Sequence, residues 1–491
     1  MMKWFTRSKT ILKPSGPIWI GAEKILDTLT SAGFEAYVIG GAVRDLLLHQ
    51  DPHDYDIVTQ AKPDEIMAIM KQAGYTTTGL IGKSFGVVVV TVPEGSYEVA
   101  TYRTERYGAD SHRPEEVSYA DSLAEDVKRR DFTVNGLAMC RTGEVIDLVG
   151  GLKDLKKRTL RTIGDAKERF QEDALRLFRA CRFVGKLDFL PHRSLLEGMA
   201  PSFERVKGLS LERVRQELDA LLVTPAVAKG LDVLVQSGLA DCTCRVLEEG
   251  VYREVPVLPE LRHLVGLPQQ PKFHAYDGWV HTLAVVQATR ADLTLRWAAL
   301  LHDVAKGEEG IRGFNKGRIT DRGHDKAGAA MAEIILSRLQ YPKALVNRVA
   351  WLVSSHMRFH YFVNNEEADP WKWMRKEAQS GSFRKSSELK EAVLQMAEVC
   401  AADVIGCGRP NSSTAGTLAF GDCLAHITES MPIHTRDLAY GPELPALLGN
   451  QTGTILQELL VQVRSGQVAN EPAALLAAAE RKLARKAHKE L

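Results

Sequence analysis

Tyr37-Val-Ile-Gly-Gly-Ala-Val-Arg44-Asp-Leu-Leu-Leu-His49-Gln-Asp-Pro52-His-Asp54-Tyr-Asp56-Ile-Val58 reads as a strand, a glycine turn, a helix and a second strand. The apolar run from Tyr37 to Ile39 suits a short strand, and Gly40-Gly41 permits a tight turn with no side chain between backbone and ligand. Such a turn, feeding a helix N-terminus, aims backbone N–H groups at phosphate. Arg44 is a second phosphate partner one helical turn along, and Pro52 ends the connection. Asp54 to Val58 reads as the next strand. Positions two apart on a strand face the same way, so Asp54 and Asp56 point both carboxylates to one side. Paired carboxylates beside a phosphate cradle suit Mg²⁺ shared with substrate phosphates, as in two-metal phosphoryl or nucleotidyl transfer. The bland alternative is a glycine turn followed by a solvated acidic loop. Gly-Gly-x-x-Arg-Asp with Asp-x-Asp ten residues after the arginine is rarer than either part alone, and it favours the chemistry.

This ordered combination resembles the nucleotidyltransferase signature of the DNA polymerase β superfamily. More narrowly, it is similar to that of the bacterial class II tRNA nucleotidyltransferases (CCA-adding enzymes) and the bacterial poly(A) polymerases. The family pattern usually has Gly where this chain has His49. The resemblance implies that Gly40, Gly41 and Arg44 hold a triphosphate and that Asp54 and Asp56 are the catalytic, Mg²⁺-holding carboxylates. Superfamily enzymes use a third carboxylate on a neighbouring strand. Glu98, within Ser96 to Tyr102, is the candidate, the alternative being a glutamate on an exposed strand face.

The chain has 491 residues, enough for about three domains. Hydrophobic residues make up 45% and charged residues 25%, as in globular proteins. Lys+Arg 63 against Asp+Glu 62 leaves no global field, so a nucleic-acid partner has to be met by local basic patches. The seven cysteines are odd in number, scattered and without paired zinc spacing, which suggests reduced thiols in a cytoplasmic protein. No apolar run approaches the ~20 residues that span a bilayer, and Met1 to Pro17 has no signal-peptide apolar core.

Along the chain, Gly21 to Ala32 reads as an amphipathic helix, Lys62-Pro63-Asp64-Glu65 as the start of a helix reaching about Gly74, and Val87 to Val92 as a buried strand. Gly82 to Gly86 precedes that strand. Arg103 to Asp121 is polar and loop-like and resembles the flexible loop of enzymes whose work includes A-addition. Glu125 to Leu137 carries Arg-Arg-Asp-Phe-Thr-Val-Asn-Gly and matches the second family motif. Arg129 and Arg130 there suit bidentate grip on a triphosphate, and Asn135 is a candidate for the ribose hydroxyls. Asp147-Leu-Val-Gly-Gly151 matches the family's linker and is expected to hinge head and neck. In Glu172 to Phe183, Asp173, Arg176, Arg179 and Arg182 recur every third residue and are expected as a stripe on one helix. An Asp acceptor beside an Arg donor matches the Watson–Crick edges of cytosine and adenine and fails against uracil and guanine. The resemblance assigns this template role to Asp173 and Arg176, with Arg179 and Arg182 as supporting nucleotide contacts; a solvated charged face is the alternative. Ser210 to about Ala240 is helical, and Pro256 to Pro271 reads as a connector.

A second site is expected further on. His281, the adjacent pair His302-Asp303, then His324, His356 and the distant Asp403 resemble, in that order, the HD phosphohydrolase superfamily. The likeness implies an all-helical bundle holding one or two divalent metals. Imidazole with carboxylate suits Mn, Fe, Ni or Co, and such a metal can activate water. An HD fold kept only as scaffold stays open. The basic end, Arg481 to Lys489, is either a solvated helix face or a contact to RNA backbone.

The expected fold class is α+β, a small mixed-sheet polymerase-β-like head followed by an all-α neck, HD bundle and tail. The expected boundaries are an N-terminal extension at 1–20, head 21–150, neck 151–245, connector 246–274, HD domain 275–410 and tail 411–491. The expected function is template-independent addition of the tRNA 3′-terminal CCA, or part of it, from CTP and ATP, with phosphohydrolase activity at the HD site left open. The alternatives are an A-adding or CC-adding partial enzyme, a poly(A) polymerase, and an HD phosphohydrolase or nucleotide sensor with a non-catalytic head. Paired metal ligands at Asp54 and Asp56 argue against a head that only binds. The expected partners are tRNA, CTP and ATP, with no membrane; the oligomeric state is left open.

Overall fold

The computed structural model describes residues 10–78, 86–108, 114–365, 367–410, 412–429 and 431–487. The chain divides into two compact units between Pro259 and Glu260. In the first, α1 (Pro17–Ser31) starts on a proline at its first turn and buries Ala22, Ile25, Leu26 and Leu29 at helical spacing. There follow β1 (Ala36–Ile39), α2 (Gly41–Leu47), β2 (Ile57–Thr59), α3 (Pro63–Gln72), β3 (Thr76–Thr78), β4 (Val87–Val92), β5 (Gly95–Thr101), β6 (Arg103–Tyr107), β7 (Pro114–Tyr119), α4 (Leu123–Lys128), β8 (Leu137–Met139) and β9 (Val145–Asp147). Among the described residues the main sheet runs β3-β4-β5-β2-β1-β8-β9. It is mixed because β2 pairs in parallel with β5 while the other neighbours are antiparallel.

The neck comprises α5 (Gly151–Lys156), the short parallel pair β10 (Thr159–Leu160) and β11 (Leu190–Pro191), α6 (Ala166–Glu172), α7 (Leu175–Leu187), α8 (Arg193–Met199), α9 (Leu211–Leu222), α10 (Val227–Gln236) and the hairpin β12 (Thr243–Glu248) with β13 (Val251–Pro256). The second unit contains α11 (Gly278–Ala288), α12 (Leu293–Leu301), the hairpin β14 (Arg312–Asn315) with β15 (Arg318–Asp321), α13 (His324–Arg338), α14 (Lys343–Val363), α15 (Pro370–Gln379), α16 (Ser386–Gly406) and α17 (Ala415–Glu429). It ends with α18 (Glu443–Leu448), α19 (Thr452–Arg464) and α20 (Pro472–Ala487), which share a core of Leu444, Ile455, Leu459 and Leu475. The fold class is α+β, with the mixed sheet in the head and, beyond it, helices together with the two-stranded pairs β10–β11, β12–β13 and β14–β15, so neck and HD region are not all-α as expected.

Several expectations are corrected. Arg103 to Asp121 is not a loop over its described part but the antiparallel pair β6–β7, whose strands carry charged partners such as Arg106 and Glu116 (3.7 Å) in place of an apolar run. Residues 109–113, including His112 and Arg113, lie outside the described residues, as do 79–85 with most of Gly82 to Gly86. The Asp173–Arg182 stripe does not occupy one helix. Asp173 is extended (φ −138°, ψ 102°) between α6 and α7, and its Oδ1 accepts the Leu175 N–H at 3.0 Å. A short acidic side chain that bonds the backbone competes with helix continuation and wins here. Residues 10–12 are not a free extension, because Leu12 N–H donates to Gly143 O and Val145 N–H to Thr10 O. Residues 246–248 and 251–256 are strand, not connector, and α17 lies along α16.

Candidate active site and metal centre

Gly40 adopts φ 83° and ψ −127°, a conformation that costs glycine little and other residues much. The turn runs under two guanidinium groups: a Cβ on Gly40 would lie 3.6 Å from Arg130 Nη1, and one on Gly41 3.6 Å from Arg44 Nη2. Ahead of β2, Tyr55 is buried against Trp19 (ring centroids 5.6 Å apart), so its neighbours Asp54 and Asp56 turn outward together. The register Ile57↔Val99 sets Asp56 beside Glu98 one step back. Asp54, Asp56 and Glu98 line one cavity of about 370 Å³. Although Asp56 keeps an exposed face, the protein around its carboxyl pushes its pKa up to about 6; repulsion from Asp54 and Glu98 adds to this and Arg130 opposes it. Crowded carboxylates of this kind call for a cation, and an all-oxygen donor set fits a hard divalent one.

The second motif joins this turn to the neck. Arg130 is held by Asp126 Oδ2 (3.1 Å), and Arg129 by Asp126 Oδ1 (2.8 Å) and Glu105 (3.0 Å). Asn135 is buried with both ends of its amide engaged: Oδ1 accepts from Arg44 Nη1 (2.5 Å) and Nδ2 donates to Asp131 Oδ1 (3.0 Å). Asp131 Oδ2 accepts from Arg179 Nη2 at 2.6 Å. A relay thus runs from buried Arg44 through Asn135 and Asp131 to the partly exposed Arg179. Arg176, buried, donates to Glu172 (3.0 Å) and to the Arg129 carbonyl (2.8 Å). Arg182 pairs with Glu217 at 2.6 Å. Arg44, Arg179 and Arg182 all lie over the Phe183 ring, at 5.5, 5.6 and 4.7 Å. The Asp147 carboxylate accepts the N–H groups of Val149, Gly150, Gly151 and Leu152, which fixes the start of α5.

In the second unit, His281 from α11, His302-Asp303 from the end of α12, His324 from the start of α13, His356 from α14 and Asp403 from α16 converge. His281 Nε2 lies 3.3 Å from Asp303 Oδ2 and 3.2 Å from Asp403 Oδ1, and His302 Nε2 lies 3.2 Å from Asp303 Oδ2. Asp303 Oδ1 faces His324 Nε2 at 3.2 Å, and His324 Nε2 faces His356 Nε2 at 3.2 Å. Asp303 is therefore shared between two sets, His281–His302–Asp403 and His324–His356. The Nδ1 atoms of His302, His324 and His356 each face a backbone carbonyl, at 2.8, 2.6 and 2.6 Å. A carbonyl only accepts, so each Nδ1 carries a proton and each ring turns its Nε2 toward the centre. Imidazole nitrogens that face carboxylates in this way fit a divalent metal between them. Burial alone would raise Asp303, but His302 and Lys306 outweigh it and hold its carboxyl well below the usual range. Burial opposes protonation of His281, yet hydrogen bonds to Asp303 and Asp403 bring its pKa up to about 9.

Sequence reasoning missed several residues at these sites. Asp131 lies inside the quoted motif, and its role shows only through the distant Arg179. Lys186 on α7 has its pKa lowered, first by burial and then by Arg44, which places it beside the glycine turn. Lys306, three residues after Asp303, bonds that carboxylate at 2.6 Å, and His360, four after His356, bonds Asp403 at 2.8 Å. Spacing of three or four residues from an expected ligand would have found both.

Residues 36–161 match the sequence model of the poly A polymerase head domain, and residues 279–380 that of the HD domain. The chain thus carries one stretch similar to a poly A polymerase head and a later one similar to an HD domain. The poly A polymerase head match contains the glycine turn, the three carboxylates and the Asp131–Asn135 relay. Over 228 residues the chain is 41% identical to a CCA-adding enzyme of Limosilactobacillus reuteri, covering 46% of this chain and 55% of that one. For the CCA-adding enzyme of Leuconostoc citreum the identity is 43% over 221 residues, covering 44% and 53%. The chain spans about half the length of the curated relatives it matches. Among solved structures, the Bacillus stearothermophilus CCA-adding enzyme in complex with CTP is 26% identical, with a TM-score of 0.66 over 97% of this chain and 100% of that one. The Thermotoga maritima CCA-adding enzyme complexed with tRNA-CCA shares the fold, at 15% identity and a TM-score of 0.54 over 96% of this chain and all of that one. No helix among the described residues is long and apolar enough to cross a membrane.

Proposed function

We propose that this protein is a template-independent tRNA nucleotidyltransferase that builds the 3′-terminal CCA from CTP and ATP. The observation that carries the reading is the cluster of Asp54, Asp56 and Glu98 next to a glycine turn flanked by Arg44 and Arg130. The likeness along nearly the whole chain to a CTP-complexed CCA-adding enzyme supports it. Asp54 and Asp56, with Glu98 beside them, would hold Mg²⁺, which when bound supplies charge against the triphosphate and lowers the pKa of the attacking hydroxyl. Gly40, Gly41, Arg44 and Arg130 hold the triphosphate so that its α-phosphorus faces the tRNA 3′-hydroxyl. The new O–P bond forms as the bond to pyrophosphate breaks, and Arg130 stabilises the leaving charge. Asp173 accepts from the amino group of cytosine or adenine and Arg176 donates to the ring nitrogen. Uracil and guanine present a carbonyl where the carboxylate needs a donor. Arg179 and Arg182 brace this side around Phe183. The reading places the protein in the cytoplasm, where its tRNA and nucleotide partners are.

The test uses purified protein, Mg²⁺ and tRNA transcripts ending before CCA, after C and after CC, offered CTP, ATP or both. Stepwise completion that stops at CCA is expected. Growth of only the CC-ended transcript means an A-adding enzyme, arrest at CC a CC-adding one, and unbounded A-tails a poly(A) polymerase.

A second reading concerns the HD site. Its three pinned imidazoles and shared Asp303 favour a pair of Mn-, Fe-, Ni- or Co-class ions and hydrolysis of a phosphoester. Phosphoester hydrolysis that depends on one of these metals and is lost in Asp303→Asn is expected. A metal-loaded protein without such activity leaves the HD unit as scaffold.

A further inference from the structure

We infer that the second unit holds a further divalent-metal site, of zinc class, formed by His274, Cys407 and the free ring nitrogen of His281. The three side chains bring one ligand atom each to within 4.8 Å of one another. Cys407 Sγ lies 3.5 Å from His274 Nδ1, and the His274 and His281 rings meet edge to face with centroids 4.7 Å apart. The decisive observation is on His281. Its Nε2 is committed to Asp303 and Asp403, whereas its Nδ1, in a fully buried side chain, has no hydrogen-bond partner among the described residues. His302, His324 and His356 each give Nδ1 to a backbone carbonyl, so His281 differs from its neighbours. A buried imidazole nitrogen left unpartnered is costly and in native proteins signals an occupant.

The pair that faces it is built by backbone contact. Ala275 N–H donates to Cys407 O at 2.9 Å. Gly406 sits so close to α11 that a Cβ would lie 2.3 Å from Val285, and Gly408 so close to the Tyr276 ring that a Cβ would again lie at 2.3 Å. The segment carrying His274 and the end of α16 carrying Cys407 are thereby set before any metal arrives. Cys407 stands one turn after Asp403, which brings both to the same face of α16. Two imidazoles and a thiolate make three protein ligands, and the side chains of His274 and Cys407 line the cavity of about 630 Å³ that also reaches His324 and His356. Three N/S ligands with a fourth position open to a cavity is the arrangement of catalytic zinc sites. Sulfur also sets this site apart from the HD sets, whose donors are nitrogen and oxygen only, so the two sort metals differently.

The inference rests on the HD reading only in assigning His281 Nε2 to those metals; with both sites filled His281 bridges them as imidazolate, its ring protons released to solvent, and Co²⁺ separates the two. Full-length protein loaded with Co²⁺ is expected to show thiolate-to-cobalt charge-transfer absorption in the near ultraviolet. Cys407→Ser and His274→Ala are expected to abolish it and to lose one equivalent of cobalt by elemental analysis. Cys400→Ser, which alters a thiol beside His360, keeps the band, and circular dichroism with a cooperative melt of the second, helical unit checks that every variant is folded there. Cobalt bound without a thiolate band, or a band that survives Cys407→Ser, overturns the inference and leaves the HD reading standing. Protein that binds no cobalt overturns both.

Discussion

Replacing Asp56 with Asn should make the metal-free protein more stable while abolishing transfer. The Asp56 carboxyl rises from 3.8 to about 6, because of burial first and then Asp54 and Glu98. Two units at ~1.4 kcal/mol each would be ~3 kcal/mol, and solvent screening at its exposed face reduces that to ~1 kcal/mol. The sign follows from linkage. A carboxyl whose folded pKa exceeds its unfolded value binds its proton more tightly in the native state, so its ionisation destabilises the fold as pH rises through 4 to 6. The advantage of the Asn variant is therefore full above pH 6 and absent below about 4. Thermal melts in EDTA at pH 7.5 should show the first transition ~2–4 °C higher in the variant. Adding Mg²⁺ should raise the wild-type melting temperature more than the variant's, because only the wild type retains the full binding set. Equal melting temperatures in EDTA at pH 7.5, or equal stabilisation of both proteins by Mg²⁺, would refute the argument.

Asp131→Asn removes the carboxylate that Arg179, a third exposed, holds at 2.6 Å, leaves it the 3.9 Å contact to Glu217, and should cost ~1–2 kcal/mol in urea unfolding at pH 7. Burial opposes ionisation of Asp131, but Arg179 and Asn135 hold its pKa below the usual value, so the difference between wild type and variant should vanish in acid as pH falls through that lowered pKa. His49 sits at φ 59° just after α2, with Gln50 N–H bonded back to Asp45 O. His49→Gly should relieve ~1–2 kcal/mol of left-handed strain, less ~0.4–1 kcal/mol of unfolded-chain entropy, for a net gain of ~0.8 kcal/mol by chemical denaturation and unchanged tRNA extension.

The head was legible because its signal is local. A glycine pair, an Asp-x-Asp and a valine run each constrain a few neighbouring residues, and the pairing of β2 with β5 bears out the neighbouring strand expected to carry Glu98. His49 was noticed only as a departure from pattern; its positive φ shows why glycine suits that position. The neck misled because spacing of three is compatible with one helix, and nothing in the sequence weighs a helix against the Leu175 N–H that Asp173 caps. The hairpin β6–β7 was hidden because its strands are matched by charge and not by apolar alternation. The expected HD ligands appeared in order along the chain, whereas the His274 and Cys407 side chains meet across 133 positions, which no local pattern encodes.

The most direct test of the central claim is extension of a tRNA transcript lacking CCA by wild type and by Asp54→Ala, read at single-nucleotide resolution with CTP, ATP and Mg²⁺. The wild type should add C, C and A and stop, and the variant should add nothing while still melting cooperatively. A wild type that adds nothing, or a variant that extends the transcript as fast as the wild type, would contradict catalysis by the carboxylate cluster beside the glycine turn.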